Sequence, residues 1–256
     1  MIISHQHKYV FIEVPHTGST AISKELREHY DGELILDKHS NYSEFLSTAN
    51  KEEKKYFVFA TVRNPLDYIA TLFYKFKTNH NGMYKDPSQF QRNGGWLSDD
   101  HLVKFDFVQK NPDFNLFFQH FYNSIYNNWV LLGHKRFDFI LRFENLQNDF
   151  KTVLELMGIK PIRDLPVVNK TDRKADYLEG YTPDSQAHAV KYFGPFMNKW
   201  GYRIPENWDF NTIPLTSRIR YNSSEHMINF LSSYISLSPK NPFLQKCNKL
   251  YKTLSR

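Results

Sequence analysis

Residues 11–20, Phe-Ile-Glu-Val-Pro-His-Thr-Gly-Ser-Thr, constrain the fold more than any other stretch, because an apolar strand stops at a short loop holding one glycine and a helix opens at once. The turn through His16, Thr17, Gly18, Ser19 and Thr20 directs backbone N–H groups and hydroxyls toward one point. The positive end of the helix dipole favours a phosphate there. A P-loop ATPase would need four residues between two glycines and a Lys-Ser/Thr pair after the second, a pattern this loop lacks. The spacing therefore argues for a phosphorylated ligand and against ATP hydrolysis.

A second element narrows the reading. Tyr56-Phe-Val-Phe-Ala-Thr-Val62 is a continuous apolar strand that runs into Arg63-Asn64-Pro65 and then into a helical pattern from Leu66 to Lys77. Pro65 suits the first turn of a helix. Thr71 follows Arg63 by eight residues, about two helical turns on, so both can reach one phosphate. The bland alternatives are an ordinary N-cap at Ser19 or Thr20 and a salt-bridging Arg63. Two such motifs, each after an apolar strand, favour phosphate binding over both.

Taken together these segments resemble the sulfotransferase family that uses 3′-phosphoadenosine 5′-phosphosulfate (PAPS). Pro15 to Thr20 is similar to the family's 5′-phosphosulfate loop, and Val62-Arg-Asn-Pro65 with Thr71 to its 3′-phosphate motif. Ile140-Leu-Arg-Phe-Glu-Asn-Leu146 with Asp149 and Phe150, then Asn169-Lys-Thr-Asp-Arg-Lys174, Tyr181-Thr-Pro183 and Trp200-Gly-Tyr202, resemble the branch containing carbohydrate 2-O-sulfotransferases and their bacterial relatives. The likeness runs through residues 8–203. It implies a P-loop-like α/β fold, PAPS as co-substrate without a metal, and Arg173 and Lys174 against the 3′-phosphate or adenine. Arg142 and Glu144, after a buried-type strand, read instead as a structural ion pair.

One departure from the family matters for mechanism. Where its members carry a lysine after the loop proline to stabilise the leaving phosphate oxygen, this chain has His16. An imidazole can donate one hydrogen bond but holds no fixed charge. His16 reads as a conditional replacement, protonated when the anionic donor is bound. His39, in Asp37-Lys-His-Ser-Asn-Tyr42, precedes the Arg63 motif by a distance similar to the catalytic histidine of the 2-O-sulfotransferases. It competes as general base with His16, Asp99, Asp100 and His101, the last three also natural components of a helix start.

The whole chain bounds the remaining classes. A chain of 256 residues buries about three quarters of its unfolded surface, enough for one α/β core. The +6 net charge is scattered without a basic block, which an anionic donor explains without nucleic acid. Cys247 is the only cysteine, which excludes an intrachain disulfide and fits a reducing, cytoplasmic setting. No apolar run suits a signal peptide or a membrane span, so no membrane partner is expected.

Strand signals at 9–14, 34–36, 56–62 and 139–143 alternate with helical patterns at 19–29, 66–77, 102–109, 116–126 and 150–157. Such alternation implies a parallel sheet flanked by helices, with ligands outside the carboxyl ends of its strands. Residues 78–100, rich in Asn, Gly and Pro, read as a long acceptor-facing loop. Residues 1–204 read as the sulfotransferase domain. Residues 205–256 read as a helical extension with helices at 226–235 and 243–254, which either packs on the core or mediates a homodimer.

Residues 78–129 are rich in Phe, Tyr and Trp with Asp86, Asp99, Asp100, Asp106 and Asp113 among them. Aromatic walls with carboxylates suit a compact neutral or cationic acceptor, a bacterial secondary metabolite or alkaloid toxin sulfated on a hydroxyl, amine or guanidinium nitrogen. The alternatives are a carbohydrate acceptor and, from other classes, a non-catalytic nucleotide-binding protein or a kinase-like phosphotransferase.

Overall fold

A computed structural model describes residues 1–128, 137–167 and 176–234, with side chains to residue 230. The described residues form two compact units, one from 1–63, 128, 137–167 and 222–234, the other from 64–127 and 176–221.

The first unit is built on a five-stranded sheet in the order β3-β1-β2-β4-β5. Its members are β1 (Ile2–Ser4), β2 (Tyr9–Ile12), β3 (Glu33–Leu34), β4 (Phe57–Val62) and β5 (Phe139–Arg142). β2, β4 and β5 are parallel, with Tyr9 opposite Phe57, Ile12 opposite Ala60, Ala60 opposite Ile140 and Val62 opposite Arg142. The parallel expectation holds for these three central strands. β1 pairs antiparallel with β2, and β3 antiparallel with β1, so the sheet is mixed. Every residue of β2 is buried, as are Val58 to Val62 of β4. Successive side chains point to opposite faces of a strand, so both faces of the central sheet are covered.

Helix α1 (Ser19–His29) follows β2 and lays Ile22 and Leu26 on the sheet beside Tyr9, Phe11 and Phe59. Helix α6 (Leu146–Leu156) adds Phe150, Val153 and Leu154 to the same core. Arg27 and His29 occupy the last turn of α1, where positive charge complements the helix dipole. Glu25, fully buried on this helix, accepts from Arg163 Nε at 3.1 Å and Nη2 at 2.9 Å, which offsets the cost of taking a carboxylate out of water. A short helix α2 (Tyr42–Thr48), absent from the expected elements, is opened by Asn41, whose side chain accepts from the Glu44 N–H while Glu44 accepts from the Asn41 N–H.

The second unit is helical. It contains α3 (Pro65–Lys77), α4 (Asp99–Lys110), α5 (Phe114–Phe121), α7 (Pro183–Tyr192) and α8 (Gly194–Lys199). Pro65 takes the first position of α3, and the Asn64 side chain accepts from the Leu66 N–H. Phe73, Phe76, Phe105, Phe117, Phe118, Tyr181 and Phe193 make one aromatic core. Helix α5 ends sooner than the sequence pattern at 116–126 because tertiary partners claim the next backbone groups. His188 Nε2 donates to the Tyr122 carbonyl at 2.8 Å, and the Tyr126 N–H donates to the Tyr192 carbonyl at 2.9 Å. Residues 78–100 carry three 3₁₀ turns, at His80–Lys85, Pro87–Gln89 and Gln91–Asn93, and the segment is held to the unit's core by buried Tyr84 and Leu97.

Helix α9 (Leu215–Tyr234) starts eleven residues before the expected 226, just after Pro214. The expected helix at 243–254 lies outside the described residues, as do residues 235–256 generally.

Phe117 and Leu116 are neighbours on α5, one fully buried and the other 54% exposed. Phe117→Ala should lower unfolding free energy by about 3–5 kcal/mol, and Leu116→Ala should stay within about 0.5 kcal/mol. Urea denaturation curves for the two variants check this, and equal losses would contradict the packing described.

Candidate active site

β2 ends at Ile12, and the next six residues turn the chain into α1. His16 and Gly18 both adopt left-handed backbone, with φ of 62° and 79°. Such turns bring successive N–H groups to one side, and the Ser19 and Thr20 N–H groups in the first turn of α1 have no carbonyl of their own helix to reach. Gly18 is required on two counts. Its φ lies where a side chain is strained, and an added Cβ would stand 2.6 Å from Leu146 Cδ2 and 3.3 Å from Phe143 Cδ2. The segment following β5 thus forms a wall against the loop.

Thr17 differs from the expectation that all the loop hydroxyls face a ligand. Its Oγ1 donates to the Val14 carbonyl at 2.8 Å and also pairs with Thr61 Oγ1 of β4, so the hydroxyl ties the loop to the neighbouring strand. Ser19 is buried and Thr20 half-buried. Arg63, at the carboxyl end of β4, donates from Nη1 to the His16 carbonyl at 3.1 Å and lies over the Phe143 ring at 4.1 Å. The two phosphate motifs read from the sequence therefore meet at the ends of adjacent parallel strands. Arg142 is tied through its backbone, its N–H donating to Asp149 Oδ2 at 2.7 Å.

The connection from β3 to α2 reaches this loop twice. His39 Nδ1 lies 2.8 Å from the Glu13 carbonyl, and Lys38 Nζ donates to Thr20 Oγ1 at 3.2 Å. A carbonyl only accepts, so Nδ1 carries the proton and Nε2 of the neutral ring is left as a proton acceptor. Desolvation is the main influence that pushes the His39 pKa below the usual histidine value, helped by the Lys38 charge and the Met1 amino group. The hydrogen bond to the Glu13 carbonyl and the charge of Glu13 act the other way. Glu13 itself is buried and accepts from the Met1 amino group at 2.7 Å.

His101 has the opposite tautomer. Its Nδ1 accepts from the Ser98 N–H at 3.2 Å and pairs with Ser98 Oγ at 2.7 Å, closing the start of α4. The proton of the neutral ring then sits on Nε2, which suits a cap and not a base. Asp100 pairs with Lys104 at 2.6 Å, and Asp99 stands exposed in the first turn of α4. Thr71 lies buried on α3, within the helical unit. Arg173 and Lys174 lie outside the described residues.

Several of the aromatic and acidic residues between 78 and 129 have structural uses. Phe105, Phe117 and Phe118 are core, Asp113 caps α5 through the Asn115 and Leu116 N–H groups, and Asp86 caps a 3₁₀ turn through the Ser88 N–H. The contacts of Lys38 and His39 with the loop were not legible from spacing, since both depend on where the backbone of residues 13–20 runs. Among the described residues, no three His, Cys, Asp or Glu side chains gather as a metal site, and no helix is long and apolar enough to cross a membrane.

No curated protein and no solved structure matches the chain. The family described as the sulfotransferase family matches residues 1–196, which take in the loop, the Arg63 motif, the β5 wall and the His39 turn. The chain belongs to the sulfotransferase family and is a sulfotransferase enzyme.

Proposed function

We propose that the protein transfers the sulfuryl group of PAPS to a hydroxyl, with His39 as general base. The observation that carries this reading is the anchoring of His39 Nδ1 on the Glu13 carbonyl at 2.8 Å, one residue after β2 and at the root of the phosphate loop. The N–H groups of residues 17–20 hold the 5′-phosphosulfate. Arg63 brings positive charge to the same loop while bracing it through the His16 carbonyl. The family resemblance implies nucleotide contacts for Thr71, Arg173 and Lys174 as well. His16 adds a hydrogen bond to the phosphosulfate. As the acceptor oxygen bonds to sulfur, His39 Nε2 takes the acceptor's proton and the sulfur–oxygen bond to the 5′-phosphate breaks.

The family carries a small-molecule or carbohydrate acceptor. We favour a small hydroxylated molecule. With the phenylalanines of 78–129 buried in or packed against the helical unit's core, the support left for this choice is that segment's composition, in which Trp96 stays 49% exposed yet is braced by a hydrogen bond from Nε1 to Gln89 Oε1 and an edge contact with His101. A held, exposed indole suits a flat or cationic acceptor. An acceptor screen with labelled PAPS should show transfer to small alcohols, phenols or cationic alkaloids. Transfer to desulfated glycosaminoglycans alone would replace this choice by the carbohydrate one.

Calorimetry tests the donor. The desulfated product 3′-phosphoadenosine 5′-phosphate (PAP) should bind more tightly than ADP or ATP. Arg63→Ala should weaken PAP by about 10- to 100-fold, the scale of one hydrogen bond to a charged group. Equal binding of all three nucleotides by the unaltered protein would remove the 3′-phosphate argument.

A base must be neutral to accept a proton, so kcat should fall as pH drops through the His39 pKa. Because that pKa lies below the ordinary histidine value, the acid limb should also lie below it. His39→Ala should remove the limb and lower kcat by about 10²–10⁴-fold with PAP affinity nearly unchanged. A pH–rate profile that keeps the limb in His39→Ala would rule the assignment out.

A further inference from the structure

The loop departs from its family in one respect, and the turn that carries His39 brings in what the loop lacks. With His16 in place of the family's lysine, no residue from Pro15 to Thr20 has a fixed positive charge, and the first turn of α1 carries no acidic residue. Yet Lys38 Nζ reaches this turn and donates to Thr20 Oγ1 at 3.2 Å. A cation is not at home beside a helix N-terminus, whose partial charge is itself positive. The placement becomes favourable once an anion lies between the two. The Lys38 backbone is fixed from both sides. The Ser40 N–H donates to the Asp37 carbonyl at 3.0 Å, and the adjoining His39 ring is held by the Glu13 carbonyl.

We propose that Lys38 supplies the cation for the departing phosphate oxygen, the role that other family members give to the loop lysine replaced here by His16. The inference rests on the PAPS reading above. In the transfer, the acceptor oxygen bonds to sulfur, its proton goes to His39 Nε2, and the electron pair of the broken sulfur–oxygen bond stays on the 5′-phosphate. Lys38 Nζ donates a hydrogen bond to that oxygen as its charge grows and gives up no proton. His39 and Lys38, adjacent in sequence, then serve the entering and the leaving oxygen. A preorganised donor aimed at developing charge acts mainly on the transition state.

The test measures PAP release from PAPS, with water as acceptor or with an acceptor taken from the screen. Lys38→Met should lower kcat by about 10²–10³-fold, with a smaller effect on PAP affinity by calorimetry. Adding His16→Lys to that variant should restore kcat to within about tenfold of the unaltered protein, the lysine having returned to the loop. Lys38→Arg keeps the charge and should retain most turnover, which serves as the second readout if His16→Lys lowers the thermal midpoint. Lys38→Met at the original rate, or Lys38→Arg as slow as Lys38→Met, would overturn the inference. If the unaltered protein binds PAP no better than ADP, the PAPS reading fails first. Normal PAP preference with unaffected Lys38→Met turnover removes only the role of Lys38.

Discussion

The parallel pairing of β2 with β4 is the constraint on which the site depends. With Tyr9 through Ile12 in register with Phe57 through Ala60, both chains leave the sheet at the same edge. The loops that leave the two strands are then forced together: Thr17 meets Thr61, and Arg63 meets the carbonyl of His16. β5 extends the parallel order by one strand, and its exit segment places Phe143 under the Arg63 guanidinium and beside Gly18. A sheet with β2 and β4 antiparallel would send these loops to opposite ends. No choice of loop residues could then bring the arginine to the turn that follows β2.

Much of the buried polarity of the sheet unit lies at this edge. Glu13, Thr17, Ser19, Thr61, Ser40 and Asn41 are all buried. Buried polar groups cost stability unless bonded, and several of these are tied: Thr17 to Val14 and Thr61, Asn41 to Glu44, and Glu13 to the Met1 amino group through one of its two carboxylate oxygens. The apolar part of the unit, Phe11, Ile22, Leu26, Phe59 and Phe150, holds the sheet and its helices without touching on chemistry. Loop shape is thus set by local polar contacts resting on an apolar base.

How much of this was legible in the sequence varies with the physical cause. Helix α1 runs over Ser19–His29 as its pattern predicts, and α3 begins at Pro65, one residue before the expected 66, because proline at the first position is a strong local signal. β1, only three residues long, carries too little alternation to be read and exists through its pairing with β2. α2 was missed although Asn41 and Glu44 spell a capping box, a signal within the sequence's reach. α7 and α8, absent from the expected elements, open on Pro183 and on Gly194 followed by Pro195, proline being suited to the first turn of a helix. At the candidate site, the turn from β2 into α1 and the position of Arg63 after β4 were readable from local chemistry. The tautomers of His39 and His101 were not, since each is set by a backbone group, Glu13 in one case and Ser98 in the other.

The anchor of His39 has a consequence for how this enzyme tolerates change. The group that orients the imidazole is the main-chain oxygen of residue 13, which every amino acid possesses. Substituting the glutamate side chain leaves that acceptor in place, so the aim of the ring is insulated from sequence drift at that position. A survey of side-chain truncations would pass over the contact. It would be exposed only by altering the peptide bond itself, for example by replacing the Glu13–Val14 amide with an ester, which weakens the carbonyl as an acceptor while leaving every side chain in place. Orientation of the His39 ring is in this sense a property of the chain's path, held in common by any sequence that can follow it.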